Sequence, residues 1–267
     1  MGELVFVGLG LYDESGVSLR GLEETRGCDY AFVELYTSVM PGLDLQRLSQ
    51  TIGKTVQLLS RREVEEEADE KILSKAKVGR VAFLVPGDPM VATTHVDLRL
   101  RAQRAGIRIR IIHAATVASA AAAVSGLQSY KFGRTITIPV SYNGDIPASV
   151  YTGLETNHHA GLHSLVLLEV DVENDRHVTI PQALKQLLTL SARTSERLLK
   201  PQTLVVGLAR LGSPDMFVRA GTVSEVETLD FGDPPYCLIF PTRLHFVEAE
   251  ALEAFCGASK AVVSDRN

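Results

Sequence analysis

Gly87-Asp88-Pro89 is the stretch whose residue types and placement could do chemistry. It follows Val81 to Val85, an apolar run that reads as a buried strand. Pro86, Gly87 and Pro89 stop that strand abruptly. Thr93 or Thr94 is placed to cap a helix expected from Asp97 to Ala105. A rigid turn carrying one carboxylate therefore sits at the carboxyl end of a strand, where open α/β sheets take their ligands. The plain alternative is an ordinary strand-to-helix turn, since Gly, Asp and Pro are the usual turn residues. In that case the Asp88 carboxylate serves only its own backbone. If it accepts a hydrogen bond from a ligand, Asp88→Ala should weaken binding and leave the melting temperature nearly unmoved.

Other reactive sets are missing from the sequence. There is no Gly-x-Ser-x-Gly and no His-Glu-x-x-His. His158, His159 and His163 cluster in a polar segment, but without the spacing of a metal site. His113 and His245 stand at the ends of apolar runs and read as hydrogen-bonded structural histidines. Gly8 and Gly10 let a backbone come close to something. The dinucleotide fingerprint would need a third glycine where Asp13 stands, and a phosphate loop ending in Gly53-Lys54-Thr55 would need one where Leu48 stands. Cys28, Cys237 and Cys256 are far apart, form no CxxC pair and read as buried small hydrophobes.

The elements that must position the turn alternate. Strands are expected at Leu4–Val7, Asp29–Glu34, Val56–Leu59, Val81–Val85 and Ile107–Ile112. Between them lie a helix capped by Ser18 and running to Arg26, a charged amphipathic helix from Arg61 to Lys77, and the helix after the turn. This is the pattern of a parallel sheet with helices on both faces. Thr116 is a reasonable cap for the alanine-rich helix that ends near Val124. The pattern then changes. Strands are expected at Arg134–Val140, Leu165–Val170, Thr203–Leu208, Met216–Val223 and Tyr236–Phe240, with a turn-rich Ser141–Pro147 and one long helix from Pro181 to Leu199. That mixture suits a second domain built on a mixed sheet. The expectation is an α/β protein of two α/β domains, residues 1–114 and 115–267, with the active site in the cleft between them.

A chain of 267 residues with 45% hydrophobic and 22% charged residues has ordinary globular composition. Its net charge of -5 argues against general binding of nucleic acid. Arg99, Arg101, Arg104, Arg108 and Arg110 form a local basic run, either ion-paired at the surface or docking an acidic macromolecule. No apolar run reaches the ~18 residues of a membrane span, and the start lacks a secretory leader pattern, so a cytoplasmic protein is expected.

Seven segments in order carry a resemblance. They are Val7-Gly8-Leu9-Gly10-Leu11-Tyr12-Asp13, Glu34-Leu35-Tyr36-Thr37-Ser38, Pro86 through His95, Tyr130-Lys131-Phe132-Gly133, Leu208-Ala209-Arg210, Phe231-Gly232-Asp233-Pro234-Pro235 and Leu244 through Glu250. With these the chain resembles the tetrapyrrole-methylase superfamily of S-adenosylmethionine-dependent methyltransferases and, more narrowly, its diphthine synthase family. The resemblance implies transfer of methyl groups from S-adenosylmethionine, with S-adenosylhomocysteine as product, to the amino group of the modified histidine of elongation factor 2 in diphthamide biosynthesis. It also implies a homodimer without metal. The cofactor-binding positions it implies are Leu11, Asp88, Val91, Thr116, Val117, Leu168, Ala209 and Tyr236. At Tyr236 the family often carries histidine, and at Thr116 serine. A methylase of porphyrin-like rings and a non-catalytic cofactor-binding module are the rival readings. The missing acid–base set agrees with methyl transfer, in which an in-line displacement expels a neutral, already activated leaving group and the protein chiefly aligns the partners.

Overall fold

The structure, a computed structural model, describes residues 2–141 and 145–264. Tyr142 to Gly144, within the turn-rich Ser141–Pro147, lie outside the described residues. The chain divides into two units, Met1–Val117 and Ala118–Asn267, just past the expected boundary at residue 114.

The first unit holds β1 (Glu3–Gly8), α1 (Leu19–Arg26), β2 (Tyr30–Glu34), α2 (Leu45–Ile52), β3 (Val56–Leu59), α3 (Arg61–Glu65), α4 (Ser74–Val78), β4 (Arg80–Val85), α5 (Val96–Arg104) and β5 (Arg108–Ile112). The five strands pair in parallel in the order β3-β2-β4-β1-β5. Their apolar runs are continuous because both faces of the sheet are covered. Leu4, Phe6, Phe32, Val81 and Phe83 pack into one core cluster. Val5, Val7, Val33, Ala82 and Leu84, the alternate residues, pack into another.

Local chemistry sets the helix ends. Ser18 caps α1 by accepting from Gly21 N (3.0 Å), as its sequence position predicts. Gly53 closes α2 with a left-handed φ of 81°, so its glycine serves a helix end and no phosphate loop.

The helix expected over 61–77 is broken. A capping box of Ser60 and Glu63 opens α3, and a π-helical stretch, Asp69–Leu73, precedes α4. Val64, Ala68, Ile72 and Ala76 are all buried at a strict spacing of four. A 3.6-residue period would rotate that stripe off the sheet, and the wider π turn brings Ile72 and Leu73 back onto it. α5 differs at its start as well. Its N-cap is His95, not Thr93 or Thr94, and the Thr93 hydroxyl is bonded to the His95 ring instead (2.7 Å).

Three of the five arginines in the basic run are spent inside this unit. Arg101 bonds Asp69 (2.6 Å), Arg108 pairs with Glu3 (3.3 Å) and Arg110 with Glu24 (2.7 Å).

The second unit takes in most of α6 (Val117–Ser125), then β6 (Ile136–Ile138), α7 (Ala148–His159), β7 (Ser164–Leu168), β8 (Val170–Asp171), β9 (Arg176–His177), α8 (Ile180–Ala192), β10 (Leu204–Ala209), β11 (Phe217–Thr222), α9 (Val223–Val226), β12 (Tyr236–Phe240), α10 (Phe246–Cys256) and α11 (Lys260–Ser264). Its main sheet runs β11-β10-β12-β7-β6 and is mixed, since only β6 and β7 pair in parallel.

The expected helix to Leu199 stops at Ala192. The buried Ser191 hydroxyl bonds both backbone groups of Leu199, accepting from its N–H (3.0 Å) and donating to its carbonyl (2.8 Å). Tyr151 Oη takes the N–H of Leu198 (2.9 Å). These bonds satisfy the returning chain in a non-helical path.

Helices α7 and α10 have no counterpart in the sequence expectation. α10 is opened by His245, whose ring accepts from Val247 N (3.3 Å). Glu248, fully buried in its first turn, accepts from Gln128 N (2.9 Å), His245 N (2.8 Å), His163 Nε2 (3.0 Å) and Lys131 Nζ. Burial pushes this carboxyl up, but the hydrogen bonds outweigh it and hold the pKa down at about 2. The matched segments Tyr130–Gly133 and Leu244–Glu250 are thus joined by one carboxylate. All three cysteines are buried and free. Among the described residues no helix is long and apolar enough to cross a membrane, and no cluster of three or more His, Cys, Asp or Glu could hold a metal ion.

Candidate functional site

The glycine turn after β1 and the Gly-Asp-Pro turn after β4 are one structure. β1 and β4 are neighbours in register to Gly8 and Val85. Beyond that point Gly10 and Gly87 form an antiparallel bridge, with Gly87 N donating to Gly10 O (2.7 Å) and Gly10 N to Gly87 O (3.3 Å). The close approach predicted for the glycines is therefore between two loops of the protein itself. A Cβ on Gly8 would lie 2.5 Å from the Gly87 carbonyl oxygen and 2.7 Å from Ala114 Cβ, so nothing larger fits. Gly10 has φ 81°, a conformation that side chains resist.

Asp88 fastens a third strand exit to these two. It is buried, and its Oδ1 accepts from Met90 N (3.0 Å), which shapes the turn. Its Oδ2 accepts from Ala114 N (3.3 Å) and from His113 Nδ1 (2.8 Å), both just past β5. β4, β1 and β5 are adjacent and parallel, so the loops that carry Leu11, Asp88, Val91 and Thr116 and lead into α6 at Val117 all leave the same edge of the sheet. Leu11, Thr116 and Val117 are half-buried and Val91 is 41% exposed. Exposed apolar surface beside a fixed carboxylate and a hydroxyl is the composition of a small-molecule site.

In the second unit the sheet brings together three residues far apart in sequence. Ala209 ends β10 and lies in register with Tyr236, the first residue of β12. On the other side of β12, Cys237 pairs with Leu167, so Leu168 ends β7 at the same end of the sheet. Tyr236 Oη donates to the Gly232 carbonyl, which commits its donor to the preceding loop, and its ring lies 5.9 Å from that of His177. Arg210 holds the same loop through the carbonyls of Phe231 and Asp233 and is itself fixed by Asp215 Oδ2 (2.7 Å) in the turn between β10 and β11.

The residue types alone gave no sign of a buried pair at the end of β2. Glu34 is fully buried and accepts from Tyr36 N (3.0 Å), Thr37 N (3.1 Å) and the Thr37 hydroxyl (2.5 Å). His95 Nε2 stands 3.6 Å from Glu34 Oε1, too far for a hydrogen bond. Phe83 and Tyr36 meet the His95 ring edge to face. Burial raises the Glu34 carboxyl to about 7 against its hydrogen bonds, and burial lowers the His95 imidazole to about 4 against the Pro89 carbonyl. Both shifts favour the uncharged form, so between about pH 4 and pH 7 an uncharged acid stands beside an uncharged imidazole.

Comparison with known proteins places this geometry. Residues 3–227 match the family described as Tetrapyrrole (Corrin/Porphyrin) Methylases. The chain is 43% identical to a diphthine synthase of Methanothermobacter thermautotrophicus, over 97% of this chain and 98% of that one. It is 42% identical to a diphthine synthase of Methanocella arvoryzae, over 95% and 98%. A crystal structure of diphthine synthase superposes with a TM-score of 0.88 at 32% identity, covering 98% of this chain and 99% of the other. The bridged glycine and Gly-Asp-Pro turns therefore belong to a tetrapyrrole-family methyltransferase, and within that family the chain is a member of the diphthine synthases.

Proposed function

We propose that this chain transfers methyl groups from S-adenosylmethionine to the amino group of the modified histidine of elongation factor 2, a step of diphthamide biosynthesis, releasing S-adenosylhomocysteine. The observation that carries the reading is the 43% identity, over 97% of the chain, to a relative named diphthine synthase. The residues present fit the cofactor. Leu11, Val91 and Val117 offer apolar surface to a ring and a thioether, while Asp88 and Thr116 offer polar atoms to amino and hydroxyl groups. Leu168, Ala209 and Tyr236 are the further positions that the family resemblance assigns to cofactor binding. When bound, the cofactor supplies an activated methyl on a sulfonium with a neutral leaving group.

The chain's own part is to hold the methyl and the amine in line and to keep water out. Fixed alignment of this kind supplies several kcal/mol of the barrier. Asp88 fixes the loop that carries Val91, and the Gly10–Gly87 bridge fixes that loop against the glycine turn after β1. The enzyme works in the cytoplasm, where elongation factor 2 acts.

The working species is a homodimer with two-fold symmetry. Light scattering at micromolar concentration is expected to give twice the 29.0 kDa of one chain, and the mass of one chain alone contradicts it. Calorimetric titration with S-adenosylmethionine tests the cofactor. One site per chain is expected, competed by S-adenosylhomocysteine, and no heat of binding overturns the reading.

A further inference from the structure

We propose that His113 is the proton acceptor for the substrate amine and that Asp88 is the residue that positions it, an inference that rests on the amine-methylating reading above. The two side chains form a dyad at the carboxyl end of β5. His113 Nδ1 lies 2.8 Å from Asp88 Oδ2. A carboxylate only accepts, so Nδ1 is the nitrogen that carries the proton in this contact. Nε2 of the neutral ring is then the free acceptor. Asp88 is buried and anchored by Met90 N and Ala114 N, whereas the His113 side chain is 72% exposed. One end of the dyad is thus fixed in the core and the other faces outward, three residues before Thr116 in the same strand exit.

Methylation of an amine needs such a group. An alkylammonium has no lone pair and cannot attack. Nε2 of His113 takes one proton from the substrate ammonium and passes it to solvent through the exposed ring. The freed nitrogen lone pair forms the new N–C bond, the C–S bond of the sulfonium breaks, and its electron pair stays on sulfur. Each methylated product is again an ammonium, so the same proton is removed once per methyl added. Deleting a general base of this kind typically costs ~10²–10⁴ in rate.

The test uses the full-length parent, His113→Gln and His113→Ala in single-turnover methyl transfer to elongation factor 2 carrying the unmethylated intermediate. Calorimetry with S-adenosylmethionine is run in parallel. Both variants are expected to lose at least ~100-fold in rate while the cofactor dissociation constant stays within about threefold, a change too small for loss of a direct contact. Added imidazole should restore part of the His113→Ala rate. Nitrogen NMR of the parent should show the tautomer protonated on Nδ1. Variant rates within threefold of the parent, a loss of rate matched by loss of cofactor affinity and untouched by imidazole, or an Nε2-protonated ring would each overturn the proposal. A parent that binds cofactor but methylates no elongation factor overturns the reading beneath it, and is told apart because it needs no variant.

Discussion

Asp88→Ala is expected to lower both the stability of the free protein and its affinity for S-adenosylmethionine. The residue types suggested that only affinity would fall. The structure corrects this, because the buried carboxylate accepts from Met90 N, Ala114 N and His113 Nδ1 and so ties the loop after β4 to the exit of β5. Removing it strands two backbone N–H groups, each worth about 1–3 kcal/mol when left without an acceptor, and frees an exposed histidine that water can serve. A loss of roughly 2–6 kcal/mol in denaturant unfolding follows. Affinity should fall roughly ten- to hundredfold as the loop carrying Val91 loses its anchor and the ligand an acceptor. Asp88→Asn keeps one oxygen for Met90 N and should recover part of the stability. If Asp88→Ala unfolds with the parent, these hydrogen bonds do not matter to the fold. An unchanged dissociation constant would remove Asp88 from the ligand site.

The buried Glu34 and His95 should hide each other in the pH dependence of stability, and single substitutions should expose them. Glu34 has its carboxyl raised from 4.5 to about 7 on folding. Between those values the unfolded chain has released the proton and the folded chain keeps it. Its contribution is therefore complete below pH 4.5 and is lost as pH rises through 7. His95 is lowered from 6.5 to about 4. Between those values the unfolded chain binds the proton and the folded chain does not, so stability from this group rises with pH. From pH 4.5 to 6.5 the two slopes, about 1.4 kcal/mol per pH unit each, oppose and nearly cancel. In Glu34→Gln the His95 slope stands alone, and the variant should gain roughly 3 kcal/mol on the parent across that window. In His95→Gln the Glu34 slope stands alone, and the variant should lose a similar amount. Urea unfolding at several pH values reads both. Curves parallel to the parent for both variants would contradict an uncharged buried pair.

Short-range chemistry was legible in the sequence, and long-range register was not. Val56–Leu59 and Tyr236–Phe240 form strands as the apolar runs predict, and Ser18 caps the helix it precedes. These depend on neighbours within a turn or a strand. α10 escaped notice because its cap is His245, outside the usual Ser, Thr, Asp and Asn, although the partner Glu248 stands three residues on. The overlong helix after Pro181 reflects a stop made by Ser191 bonding Leu199, a choice of tertiary structure that periodicity cannot show.

The candidate site was legible unevenly. Asp88 stood out through turn chemistry, but its bonds to His113 and Ala114 depend on β4 and β5 both flanking β1, which no local pattern encodes. Leu11, Val91, Val117, Leu168 and Ala209 are apolar or small and came from family resemblance alone. The clustering of Leu168, Ala209 and Tyr236 follows from antiparallel register across β7, β12 and β10. The Glu34–His95 contact joins the end of β2 to the loop beyond β4, strands that pair in the sheet but are separated in sequence by β3.

The most direct measurement is the mass of one peptide. Elongation factor 2 bearing the unmethylated intermediate is incubated with the purified protein and S-adenosylmethionine, digested, and the peptide holding the modified histidine is weighed. Addition of whole methyl increments to that peptide, dependent on the cofactor and absent from a porphyrin-like ring offered in its place, is the predicted result. An unshifted peptide from a protein that binds S-adenosylmethionine, or methyl groups found on the ring instead, would contradict it.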